Sequence, residues 1–296
     1  MIAPRPRTIP APGRGGSTYG LEFGPQDRAI DLIFSHANGF NARTYACLLA
    51  PLGQHFRILA LDQRGHGRSG LPALATDGRV CWNDLVDDLD AILESLDVKD
   101  VVLAGHSMGG TISVQAAARA PQRVRALALL DPVIMPWGME SRPHSIPATE
   151  NSLVAGALRR RAVFQSHAEV LEVYSGRSAF RSWDPQMLTD YVSDGFLPRA
   201  DGQVELACAP AWEASNFTAH SNDPWSALEA LGPKISVLQA EQGSTCRIAG
   251  QEDALARWGI SLETVPGTSH FLPMERPQRV IEVLGGLCRS VVQADL

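Results

Sequence analysis

Short runs of apolar residues, each too brief for a helix, recur along this chain between longer segments with helical spacing. Residues 29–35 (AIDLIFS), 57–61 (RILAL), 101–104 (VVLA), 126–130 (ALALL) and 235–239 (ISVLQ) are bounded by polar or turn-forming residues. Each suits a strand buried on both faces. Between them, residues 82–96 repeat apolar side chains at three- and four-residue spacing, and residues 111–119 are rich in alanine. Both patterns favour helix. Strand alternating with helix implies right-handed βαβ crossovers and a mostly parallel sheet. The predicted fold class is α/β.

The alternation breaks between residues 132 and 225, where helical patterns continue without a convincing buried strand. That stretch of 94 residues holds Trp137, Trp183, Trp212 and Trp225 with Phe164, Phe180, Phe196 and Phe217, eight of the fifteen Trp and Phe in the chain. Alternation resumes at residue 234 and ends in a helix from residue 278 onward. One α/β domain with an all-helical insertion fits this order better than two serial domains. The core is then residues 17–131 and 226–296, with the insertion at 132–225. Residues 1–16, crowded with Pro and Gly, are expected to form a flexible arm. Within the insertion, Trp183-Asp184-Pro185 reads as a helix start, with Asp184 as cap and Pro185 in the first turn.

Composition narrows the function classes. The 296 residues include 26 Lys and Arg against 32 Asp and Glu, a formal charge of −6, with 45% apolar residues. This mixture buries a large core and excludes a disordered chain or a small disulfide scaffold. It lacks the basic footprint of a nucleic-acid binder, and no apolar run approaches the ~20 residues needed to span a bilayer. The first twenty residues contain no secretory apolar segment. Cys47, Cys81, Cys208, Cys246 and Cys288 form neither a C-x-x-C pair nor a metal-spaced set with histidine. They read as free thiols, so the cytoplasm is the expected location. None of these features sets an oligomeric state.

The chemistry concentrates at Gly105-His106-Ser107-Met108-Gly109, between an apolar run and a helix-prone segment. G-x-S-x-G in a strand–turn–helix context exposes its serine on a sharp, strained turn, and the glycines leave room for that turn. Ser107 is the expected nucleophile. A serine hydroxyl needs a base. His270, in Pro266-Gly267-Thr268-Ser269-His270-Phe271 after the last strand candidate (residues 260–265), lies at the same strand-end rim. His106 adjoins the serine but is expected to point elsewhere, and His55, His144, His167 and His220 fall outside any such constellation. An oxyanion hole needs backbone N–H groups. Met108, after the serine, is one donor. Asn38, in Ser35-His36-Ala37-Asn38-Gly39-Phe40 after an early strand, is the second, with Ala37 as the alternative.

H-A-N-G-F from residue 36, D-Q-R-G-H-G-R-S from Asp62, G-H-S-M-G-G from Gly105 and G-T-S-H-F from Gly267 together resemble the α/β-hydrolase superfamily over residues 17–296. The resemblance implies an α/β-hydrolase fold: a mostly parallel eight-stranded sheet flanked by helices, with a helical cap inserted after the sixth strand. Residues 132–225 are where that cap would fall. Most family members place an acidic residue just beyond the seventh strand. Here that region reads Gln239-Ala240-Glu241-Gln242-Gly243-Ser244-Thr245-Cys246 and lacks the usual Asp. Asp131, at the end of the sixth strand, is favoured as the acid on position, because some family branches carry it there. Glu241 is the alternative. The G-x-G-x-x-G at residues 65–70 is no dinucleotide site, since Pro72 follows and no helix opens to receive a phosphate.

The expected function is hydrolysis of a carboxylic ester or thioester by Ser107, His270 and Asp131 through an acyl-enzyme, with no metal or organic cofactor. The expected partner is a small acyl substrate with an apolar portion. The same residues also suit C–C bond hydrolysis, lactone opening, lyase chemistry or a non-catalytic small-molecule receptor. Substrate choice in this superfamily lies in the cap and pocket. The aromatic residues of the cap either bind an apolar group or pack against each other. Arg159-Arg160-Arg161 reads mainly as a solvated face, with contact to an anionic substrate such as a coenzyme A thioester as the weaker reading.

Overall fold

The computed structural model describes residues 3–75, 79–138, 152–219, 222–248 and 250–293. The chain opens on an antiparallel pair, β1 (Arg5–Ala11) and β2 (Gly16–Phe23), and continues through β3 (Leu32–Ser35), α1 (Ala46–Leu52), β4 (Ile58–Asp62), α2 (Asn83–Ser95), β5 (Val101–His106), α3 (Met108–Arg119) and β6 (Val124–Leu130). The insertion follows, with α4 (Ser152–Leu158), β7 (Val163–Phe164), α5 (His167–Ser175), α6 (Pro185–Gly195), β8 (Phe196–Pro198), β9 (Val204–Leu206) and α7 (Pro210–Thr218). The fold closes with α8 (Pro224–Leu231), β10 (Ile235–Ala240), α9 (Glu252–Trp258), β11 (Ser261–Val265), α10 (Leu272–Glu275) and α11 (Pro277–Gln293).

Eight strands form one sheet in the order β1-β2-β4-β3-β5-β6-β10-β11. Pairing is parallel from β4 through β11 and antiparallel at the β1 and β2 edge. Successive strand residues face opposite sides. Thus Val101 and Leu103 of β5 join the core under α2, α3 and α8, whereas Val102 and Ala104 join the core under α1 and α11. Both faces are dry, which is why the central strands read as unbroken apolar runs. Among the described residues, no helix is long and apolar enough to cross a membrane.

Two expectations need correction. The segment expected as a flexible arm carries β1, which pairs with β2 from Arg5↔Glu22 to Ala11↔Gly16. Its Ile9 and Ala11 are buried, and Arg7 bonds Glu22 at 3.3 Å. Pro6 and Pro10, which discouraged a strand assignment, are tolerated because an edge strand has one row of unpaired backbone groups. The insertion is not all helical either. Strands β7, β9 and β8 make a separate antiparallel sheet, and at two or three residues each they are too short to show a period in sequence.

Candidate active site

The parallel strands end at one rim, and the turns after β3, β5, β6, β10 and β11 carry the candidate residues. Ser107 forms the turn between β5 and α3 at φ 55° and ψ −121°. Holding a non-glycine residue there costs about 1–3 kcal/mol. The flanking glycines make it feasible. A Cβ on Gly109 would lie 2.2 Å from the Ser35 carbonyl oxygen, and one on Gly105 would lie 2.4 Å from the Gly109 carbonyl. The serine side chain is therefore lifted off the sheet with no larger neighbour able to crowd beneath it.

His270 follows β11. Its Nε2 lies 3.0 Å from Ser107 Oγ, and its Nδ1 lies 2.6 Å from Asp131 Oδ2. The loop bearing it is tied down on both sides. Thr268 Oγ1 donates to the Val265 carbonyl at 2.6 Å, and Ser269 N–H donates to Glu275 at 2.6 Å. Asp131 is fully buried, at φ 42° just beyond β6. Its Oδ1 accepts from Ala240 N–H (2.9 Å) and Ser244 Oγ (2.5 Å), and its Oδ2 also accepts from Thr245 N–H (3.1 Å). Burial pushes this carboxyl up, but the hydrogen bond and charge of His270, with the Ala240 and Ser244 donors, outweigh burial and hold it below the ordinary aspartate value.

Of the two carboxylates left open by the sequence, Asp131 reaches the imidazole. Glu241 accepts the Gly267 N–H at 3.0 Å and so anchors the His270 loop from its exposed side. Ser244 and Thr245 stand where an acidic residue was sought after the seventh strand, and their donors hold the Asp131 carboxylate instead. A pair of small hydroxyl residues in that loop was the one available signal of this arrangement.

Ala37 and Asn38 differ in what their backbone N–H groups do. Ala37 N–H donates to Tyr45 Oη at 3.2 Å. Asn38 N–H makes no hydrogen bond among the described residues, while its side chain is clamped to α7 through Glu213 O (3.0 Å) and Asn216 Nδ2 (2.9 Å). Met108 is the first residue of α3, so its N–H has no acceptor within the helix. His106 does point away from the cavity, as its position suggested. Its Nδ1 lies 2.7 Å from Tyr45 Oη and its Nε2 lies 2.8 Å from the His270 carbonyl. Burial, then the nearby His270, pushes this imidazole down to about 3, so it is neutral, accepting at Nδ1 and donating at Nε2. Sequence reasoning missed Tyr45, which lies 61 residues from His106.

A cavity of about 530 Å³ opens over Ser107 and His270, within the range of small-molecule sites. Phe40, Trp82, Val133, Met135, Phe217 and Phe271 contribute its apolar wall, with Glu213 and Arg247 among its polar lining. Of the eight Trp and Phe in the insertion, only Phe217 lines it. Phe164, Phe180, Phe196 and Trp183 instead pack with Tyr174 and Tyr191 at centroid distances of 4.9–6.3 Å.

The arginines at 159–161 divide. Arg160 turns inward and bonds Glu213, Tyr174 Oη (3.2 Å) and Tyr191 Oη (2.8 Å), while Arg161 pairs with Glu169 at 2.8 Å. The solvated face expected of this run does not hold for Arg160. His167 bonds the Phe196 carbonyl at 2.7 Å, away from the cavity. His144 and His220 lie outside the described residues. Among the described residues, no group of three or more His, Cys, Asp and Glu is placed to hold a metal ion.

Comparison with known proteins adds the family. A putative non-heme haloperoxidase of Mycobacterium phage D29 is 43% identical over 101 residues, a local match covering 34% of this chain and 35% of that protein. A bifunctional esterase/perhydrolase of Acinetobacter calcoaceticus is 26% identical over 286 residues, 93% of this chain and 97% of that protein. The crystal structure of an E-2-(acetamidomethylene)succinate hydrolase superposes with a TM-score of 0.75 at 23% identity, covering 96% of this chain and 98% of that one. Residues 32–283 match the alpha/beta hydrolase family, and the chain belongs to that family.

Proposed function

We propose that the protein is a serine hydrolase of carboxylic esters or thioesters, with Ser107 as nucleophile, His270 as base and Asp131 as the acid that orients it. The observation that carries this reading is the unbroken hydrogen-bonded chain from the buried Asp131 through His270 to a serine held at positive φ under an apolar cavity. The nearly full-length likeness to an esterase/perhydrolase supports it. Residues 17–131 and 226–296, with β1 completing their sheet, form the catalytic core, and residues 132–225 act as the cap.

In the first half-reaction Ser107 Oγ attacks the carbonyl carbon while His270 Nε2 takes the hydroxyl proton. The Met108 and Asn38 N–H groups stabilise the tetrahedral oxyanion. Ala37 is the poorer donor because its N–H is already held by Tyr45. Collapse expels the alcohol or thiol, which receives the proton from His270. Water then attacks the acyl-enzyme, giving its proton to the same nitrogen, and the acid leaves as Ser107 is restored. Asp131 holds the tautomer with hydrogen on Nδ1 and stabilises the imidazolium formed in each half.

The test is turnover of p-nitrophenyl esters from short to long acyl chains, with Ser107→Ala alongside and a fluorophosphonate as covalent probe. The expected outcome is at least about a thousandfold loss in the variant and labelling of Ser107 alone. Undiminished turnover in Ser107→Ala, or no ester turned over and no label on folded protein, would sink the reading.

A further inference from the structure

The charged side chains lining the cavity are not alike. Glu213 lies on α7, and its carboxylate is taken up by Arg160, whose guanidinium also bonds the hydroxyls of Tyr174 and Tyr191. That pair presents no net charge to a ligand. Arg247 also lines the cavity. Among the described residues its guanidinium makes no salt bridge, side-chain hydrogen bond or ring contact, although the protein as a whole carries a formal charge of −6.

The Arg247 backbone is nonetheless fixed. Its N–H donates to the Ile134 carbonyl at 2.8 Å, and the Ile134 N–H donates to Thr245 O at 3.0 Å. These bonds form a short parallel bridge between the segment after β6 and the loop after β10. Thr245, two residues earlier in that loop, holds Asp131 and has its Oγ1 3.4 Å from His270 Nδ1. The loop that orients the acid therefore also carries an exposed cation, with no charged partner among the described residues, on the wall of an otherwise largely apolar cavity. A guanidinium so placed matches a carboxylate in charge and in its paired oxygens.

We infer that the cavity selects acyl substrates bearing a second, carboxylate-like anionic group, which Arg247 binds while Ser107 attacks the ester or thioester carbonyl. This inference rests on the serine hydrolase reading and adds the substrate class to it. Arg247 acts as a specificity determinant, and the apolar wall holds the chain joining the two ends of the substrate.

The test has two readouts. The first is kcat/KM for monobenzyl glutarate and monobenzyl adipate relative to benzyl valerate and benzyl hexanoate, following benzyl alcohol release in wild type, Arg247→Gln and Arg247→Glu. The second is calorimetric binding of monobenzyl adipate to Ser107→Ala, which cannot turn it over, with and without Arg247→Gln. The half-ester to neutral-ester ratio is expected to fall about ten- to a hundredfold in Arg247→Gln and further in Arg247→Glu, with binding of the half-ester weakened about tenfold or more. A ratio and an affinity unmoved by either variant would overturn the inference and leave the serine hydrolase intact. Arg247-dependent binding in a protein that turns over no ester would support the anion site and sink the hydrolase reading.

Discussion

The rim of the sheet and the insertion above it both bury charged side chains, but their hydrogen bonds end in different places. At the rim, Ala240 and Ser244 hold Asp131 Oδ1 while Oδ2, steadied by the Thr245 N–H, meets His270, and the chain of bonds runs on to a serine hydroxyl facing a cavity. In the insertion, Arg160, Glu213, Tyr174 and Tyr191 satisfy one another. Glu213 lines the same cavity, yet its charge is neutralised beside it. A buried charge is therefore no mark of chemistry in itself. What separates the two regions is that one chain of bonds is open at the cavity and the other is closed.

The largest effect expected from this difference is at Asp131. Asp131→Asn should lower kcat by about 10³–10⁴-fold, because an amide stabilises neither the required tautomer nor the imidazolium. Glu241→Gln should stay within about threefold of wild type, since an amide oxygen still accepts the Gly267 N–H. Equal losses in the two variants would mean that both carboxylates serve the imidazole. The same substitution has a pH signature. The folded-state pKa of Asp131 is held below its unfolded value, so its contribution to stability is full above about pH 4 and is lost as the pH falls through the folded value. The stability difference between wild type and Asp131→Asn should accordingly narrow below about pH 4, as read by urea unfolding.

The closed set in the insertion should fail differently. Arg160→Met strands the Glu213 carboxylate, which is 10% exposed, and about 3–5 kcal/mol of stability is expected to be lost. Adding Glu213→Leu should recover most of it, because replacing both members of a buried pair by apolar groups is close to neutral. If the double variant stays as unstable as the single one, the carboxylate has a further partner and the set is not closed.

The same contrast decides what was legible in the sequence. Ser107 and its strand–turn–helix setting are local, since two glycines and an apolar run suffice to specify the turn. The start of α6 is local too, and Asp184 does cap it, accepting the Gln186 N–H at 2.8 Å with Pro185 behind it. Asp131 was legible only as one of two candidates. It meets His270 across 139 residues, and no pattern within one segment encodes such a distance. Asn38 and Asn216 are 178 residues apart, so the clamp on the Asn38 loop left no sequence trace. The Arg160 pair was misread for a related reason. A run of three arginines looks solvated until the tertiary fold brings a carboxylate and two phenols onto one of them. β1 shows the converse error, because proline content argued against a strand that only its place at the sheet edge permits.

The smallest expected effect lies in the bridge joining the two loops that flank the serine. Tyr45 Oη accepts from Ala37 N–H and donates to His106 Nδ1, and His106 Nε2–H donates to the His270 carbonyl. Burial pushes the Tyr45 phenol well above its ordinary value, and His106 stays neutral down to about 3, so the direction of each bond persists through neutral and mildly acidic pH. Tyr45→Phe removes two of these bonds and leaves the Ala37 N–H without its acceptor. Each such bond is worth about 1 kcal/mol, which corresponds to a five- to tenfold loss if it is felt in the transition state. The loss should fall on kcat with KM little changed, because the bridge positions the His270 loop and the Ala37–Asn38 loop rather than the substrate. If Tyr45→Phe lowers only the unfolding midpoint and leaves kcat intact, the bridge is scaffold like the Arg160 set. The rim would then owe its open chain of bonds to the Asp131 loop alone.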